Sequence, residues 1–125
     1  MKTITLLFKW LCQIGAGSVF IYAAISKFKG SPMDIETFKL LDMEPTGRIM
    51  IGICEIIAGA GLFHPLSAAH AALLGAGVLT GASLAHVGVL GSAGINLLLP
   101  TYFATLVVVI MRRHELFFSV ARQKD

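Results

Sequence analysis

Apolar residues gather in four long runs along the chain, at about 6–28, 47–63, 66–90 and 95–111, with polar residues between and beyond them. Each run is roughly 17–25 residues, the length a helix needs to cross a ~30 Å hydrocarbon core. An open chain in lipid must satisfy its backbone internally, so the runs predict helices rather than strands. The expected fold class is all-α: an integral membrane four-helix bundle in one domain over residues 1–125. The second run stops at His64-Pro65, because proline disfavours helical geometry in the residue before it.

The only long polar segment covers 29–48. Within it Ser31-Pro32-Met33-Asp34 reads as a helix start, with serine as cap and proline in the first turn. Ile35, Phe38 and Leu41 recur at helical spacing against Glu36, Lys39 and Asp42, and Glu44-Pro45 closes the segment. This predicts a short interfacial helix between helices 1 and 2, lying over the mouth of the bundle. In the third run Ala68, Ala72 and Ala76 form a ladder, and Gly77 and Gly81 form a Gly-x-x-x-Gly pair. Small residues let membrane helices approach closely, so the third helix is expected to be central. The same small residues would also suit a homo-oligomer contact.

Composition agrees with a membrane setting. The chain is 56% hydrophobic and 14% charged, with a mean hydropathy of +0.81, whereas soluble domains carry about 25% charged residues. A net charge of +3 does not point to nucleic acid. The basic residues flank the apolar runs without forming a basic face, so membrane lipid is their expected partner. Lys2, Lys9, Arg112, Arg113, Arg122 and Lys124 fall on one side, against Lys27, Lys29, Lys39 and Arg48 on the other. That excess predicts cytoplasmic N and C termini. The N-terminal run continues to Phe28 without a small-x-small cleavage site, so it reads as a retained helix rather than a signal peptide. Cys12 and Cys54 lie in different runs and lack Cys-x-x-Cys spacing, which predicts neither a disulfide framework nor a zinc site.

Glu55 is the candidate around which chemistry would be built. It lies in Ile49 to Phe63, a stretch whose only other ionisable side chain is the Cys54 thiol. A carboxyl group in such a run costs roughly 2.5–3.5 kcal/mol unless it faces a partner or a wet cavity. Glu55 is eight residues into its helix, about 12 Å below the first loop. Lys27 closes the first helix on that side, His86 comes near the end of the third, and Tyr22 and Tyr102 come one to two turns below the surface. Each of the four helices can thus offer a polar group to one zone. Lys27 and His86 could stabilise an ionised Glu55, or the Lys27 stem could snorkel away and leave a protonated carboxyl. A Glu–His pair can exchange protons with a ligand, and tyrosines add hydroxyls and a flat wall suited to an aromatic or quinone ring. The structural reading is a buried polar cluster that only fixes helix register. His64 and His70 bracket the second loop at the opposite face and read as surface residues. No metal site is expected.

The pattern resembles the DoxX/DoxX-like family of small four-helix membrane proteins. The likeness rests on Phe20-Ile21-Tyr22-Ala23-Ala24-Ile25-Ser26-Lys27-Phe28, on Glu55-Ile56-Ile57-Ala58-Gly59-Ala60-Gly61-Leu62 and on His86, with a phenylalanine-bearing loop helix around Phe38. It covers about residues 10 to 110, and departs in having Ala23-Ala24 where the family often has a glycine. The resemblance implies a multi-pass protein of the bacterial inner membrane, linked to quinone-dependent redox chemistry or oxidative stress. In the reading this favours, Glu55 and His86 manage protons, Lys27 tunes their charge, and Tyr22, Tyr102 and Phe38 form the ligand wall. A quinone would be the ligand and a redox protein the partner, with no intrinsic cofactor. A proton-coupled transporter of small molecules and an assembly or scaffolding protein stand as the alternatives, and whether the chain is an enzyme is left open.

Overall fold

The structure is a computed structural model, and it describes residues 2–90 and 95–122, with side chains from 2 to 88 and from 98 to 113. Helix α1 spans Lys2–Lys29, α2 Pro32–Leu40, α3 Thr46–Leu62 and α4 Ala68–Ala85. A π-helical turn, His86–Leu90, continues α4, and α5 spans Ile95–Arg122. The described residues are all-helical, with no strand among them.

The four longer helices pack in a ring: α1 lies against α3 and α5, and α4 against the same two. Helix α2 crosses one end of the ring, touching α1, α3 and the π turn. The packing stripes follow helical periodicity. On α1 the buried residues are Gln13, Ala16, Gly17, Phe20 and Ala24; on α3 they are Gly52, Glu55, Ala58, Gly59 and Leu62. Helices α1 and α3 approach closely: a Cβ on Gly59 would stand 3.0 Å from the Gly17 carbonyl oxygen and a Cβ on Gly17 3.2 Å from the Gly59 oxygen. Only residues without side chains allow that contact.

Large side chains point the other way. Leu11, Tyr22, Ile57, Leu84, Phe103 and Ile110 are all exposed, while the interior holds many alanines and glycines, a few larger apolar side chains such as Phe20 and Leu62, and the polar Gln13, Glu55, Thr101, Thr105 and Arg112. A solvated bundle would invert this distribution. By length and hydropathy, α1 and the Ala68–Gly88 segment can each cross a membrane.

Helix α2 begins where expected. Ser31 is its N-cap and accepts a hydrogen bond from the Asp34 N–H, with Pro32 in the first turn. Three boundaries differ from the sequence reading by two residues or more, the first being the start of α1 at Lys2 rather than 6. Residues 63–67 form turns, so α4 starts at Ala68 rather than 66. Helix α5 runs on to Arg122, past the predicted end at 111. That end marked the limit of the apolar run, and arginine is a good helix former, so leaving the apolar run need not end the helix. His114 therefore lies within α5.

The small residues of α4 divide between two faces. Ala68, Ala72, Gly75 and Leu79 turn inward, with the Phe20 ring filling the space beside Gly75. Gly77 and Gly81 are exposed, and a Cβ on either would meet nothing within 4 Å. The Gly-x-x-x-Gly pair makes no contact inside the fold.

Candidate functional site

Lys27 and Glu55 meet at the end of the ring that α2 covers. The Lys27 Nζ donates to Glu55 Oε1 at 3.0 Å, with side chains only 12% and 9% exposed. Lys27 therefore turns inward rather than snorkelling to the surface. Its place on α1 continues the stripe of Phe20 and Ala24, at three- and four-residue spacing, so its stem leaves the helix towards α3. Glu55 lies on the inward stripe of α3 between Gly52 and Ala58. Its second oxygen, Oε2, is buried and has no hydrogen-bond partner. A buried acceptor left unmatched costs about 1–3 kcal/mol, and more when charged.

Two polar clusters fasten the chain around the pair. Ser26 and Ser31 both donate to Asp34 Oδ2, at 2.5 and 2.7 Å, which ties the start of α2 to α1. The Arg48 Nε reaches both oxygens of Glu44 at 3.0 Å, and the same guanidinium donates to the Lys27 carbonyl. The entry of α3 is thereby joined to the exit of α1, which limits drift of the Lys27 backbone. Phe38 is the one buried residue of α2 and anchors it on the bundle.

The remaining predicted residues lie apart from the pair. Tyr22 is 71% exposed. It comes two residues after inward Phe20, about 200° round the helix, and so faces outward. The Tyr102 hydroxyl is 2.9 Å from Thr80 Oγ1, which itself donates to the Ala76 carbonyl, so the tyrosine links α5 to α4. The His86 Nδ1 is 2.8 Å from the carbonyl of Ala82 in its own helix. His86 opens the π turn that α2 touches, so it belongs to the same end of the molecule, but no hydrogen bond joins it to Glu55 or Lys27. Local π geometry recurs at functional sites.

A second buried polar network, at the opposite end, was missed in the sequence. Arg112 Nε donates to Gln13 Oε1 at 2.7 Å, and Gln13 Nε2 donates to the Leu62 carbonyl at 2.9 Å. The guanidinium also donates to the Pro65 carbonyl at 3.2 Å and lies 5.8 Å from the Trp10 ring centre. Together these contacts clasp α1, α5 and the α3–α4 turn. A signal was available: Gln13 is a lone amide on the stripe that continues through Ala16, Gly17 and Phe20.

Cys12 and Cys54 are free thiols, and no three His, Cys, Asp or Glu side chains among the described residues group in a way that could hold a metal ion. The pair itself supplies an ammonium donor and an unmatched carboxylate acceptor beside each other, away from bulk water. That arrangement can bind a ligand carrying both a hydroxyl and a carbonyl, or can hold a proton.

Helices with bulky outer faces, a small and polar interior and an internal lysine–glutamate pair define a small membrane protein. The chain belongs to the DoxX-like family, whose profile matches residues 11–110 and so takes in Lys27, Glu55 and His86. Curated proteins and solved structures gave no match to it.

Proposed function

We infer that the protein is a multi-pass subunit of a redox-linked system in the bacterial inner membrane, binding a quinone-like lipophilic ligand at Lys27 and Glu55. The observation that carries this reading is the buried Oε2 of Glu55 without a partner, beside an ammonium group already fixed in place. Lys27 Nζ has hydrogens beyond the one given to Oε1 and can donate to a ring carbonyl; Oε2 can accept from a ring hydroxyl. Phe38 offers an apolar wall, whereas Tyr22 and Tyr102 do not fit the wall expected of them. When a quinone is reduced it takes up two electrons and two protons. The electrons would come from a partner protein, and Glu55, with His86 at the same end, would serve the protons. Outward bulk on α3 and α5 as well as α1 and α4 supports four crossings, with both termini on the cytoplasmic side.

The test is saturation binding of a short-chain quinone to the detergent-purified protein and to Glu55→Gln. Micromolar binding by wild type, weakened tenfold or more in a folded Glu55→Gln, is the expected result. A wild type that takes up no quinone would remove the reading.

One observation favours a scaffolding role instead. Gly77 and Gly81 leave α4 open outward, and Gly77 lines an apolar groove of about 580 Å³ with Ile51, His70 and Leu74. In that case the Lys27–Glu55 pair only holds the bundle together, and Glu55→Gln would lower the melting temperature without altering any ligand affinity.

A further inference from the structure

The inward stripe of α1 does not end where the bundle ends. Gln13 bonds to the Leu62 carbonyl, so the α3–α4 turn stands level with Gln13. The 11 positions from Lys2 to Gln13 carry α1 about 16 Å beyond that turn. Over this stretch Lys2, Thr5, Leu6 and Lys9 recur at offsets of 3, 4 and 7, in line with Gln13, Ala16 and Gly17 below. Together with Met111 of α5 they line a groove of about 370 Å³.

The lysines lie on the wrong side for simple anchoring. The opposite side of the same turns is apolar, with Ile4, Leu7 and Leu11 all exposed. The cations face instead into a notch left because α3 and α4 stop short of α1. Neither lysine is in an ion pair among the described residues, where the pairs are Lys27–Glu55 and Arg48–Glu44. The floor contributed by Leu6 and Met111 is apolar. Two cations above an apolar strip complement one occupant: a molecule with an anionic head and a hydrocarbon chain. Basic pockets between membrane helices hold acidic lipid headgroups in this way.

We propose that an anionic phospholipid docks in this groove, its phosphate held by Lys2 and Lys9 and one acyl chain lying along Leu6 and Met111. The site is at the far end of the molecule from Glu55 and does not depend on what binds there. The lipid bridges α1 and α5 through Met111.

The experiment uses the full chain, delipidated in a neutral detergent, with native mass spectrometry reading retained phosphatidylglycerol against phosphatidylcholine. Near the bilayer surface each lysine contributes about fivefold, so wild type should favour phosphatidylglycerol by roughly 30-fold. The Lys2→Gln, Lys9→Gln double variant should bring the two lipids level, while Lys2→Arg, Lys9→Arg retains the preference and controls for folding. Equal retention of both lipids by wild type, or an unchanged ratio in the glutamine variant, overturns the proposal. Displacement of phosphatidylglycerol by an equal concentration of inorganic phosphate would also overturn it, since the acyl strip would then contribute nothing.

Discussion

Lys27 and Glu55 are bound to each other more firmly than to anything else, and the consequences of cutting them are unequal. A buried ion pair contributes little net stability compared with apolar residues of the same size, but removing one partner strands the other charge at a cost of about 3–5 kcal/mol. Lys27→Met should therefore destabilise the protein strongly, and adding Glu55→Met to it should restore most of the loss. Melting temperatures of the two single variants and the double variant, in one detergent, check this. Additive losses would mean that the pair is not coupled as its 3.0 Å contact implies. At this scale the sequence was half legible. An isolated carboxylate in an apolar run announces a partner on energetic grounds, and a lysine at the exit of the preceding helix was the nearest cation of that side. The direction in which Tyr22 points needs the rotational phase of α1, which a nearly uniform apolar run does not reveal. The Gln13–Arg112 contact joins residues 99 apart, and nothing local to either specifies the other.

Among the elements, the contact of α1 with α3 depends on Gly17 and Gly59. Gly59→Ala would drive a Cβ to 2.7 Å from the Ile21 Cγ1 and 3.0 Å from the Gly17 carbonyl oxygen. Overpacking of this kind costs about 1–3 kcal/mol. Gly77→Ala meets nothing within 4 Å and gains helix propensity, so the monomer should keep or slightly raise its stability. Thermal unfolding of both variants side by side checks the contrast; equal losses would mean that Gly77 is packed against something beyond the chain. The sequence placed the glycine pair and the alanine ladder on α4 together as one feature. Ala72 and Gly75 fall on the inner face of α4, whereas Gly77 and Gly81 do not, and composition alone cannot make that distinction. Helix α2 was readable because its start has local chemistry of its own, the Ser31 cap and Pro32. The end of α5 was not, because an apolar run reports where lipid stops and not where hydrogen bonding stops.

For the whole molecule the decisive question is how many times it crosses the bilayer. Four crossings place α2 on one side and the N-terminus of α1 on the other. With Cys12 and Cys54 replaced by alanine, a cysteine introduced at Glu36 should react with an impermeant thiol reagent only from outside intact cells, and one at Lys2 only after permeabilisation. Labelling of both from the same side would contradict four crossings. The exposure of bulky residues on all four long helices has a further implication, this time for evolution. Positions that meet only lipid accept leucine, isoleucine, valine or phenylalanine almost interchangeably, so most of this surface is free to drift. Packing and charge instead constrain an inner set that includes the glycines at 17 and 59, the alanines of α4, and the charges of Lys27, Glu55 and Arg112. Descendants of one ancestor could therefore share this architecture while keeping few identical letters outside that set.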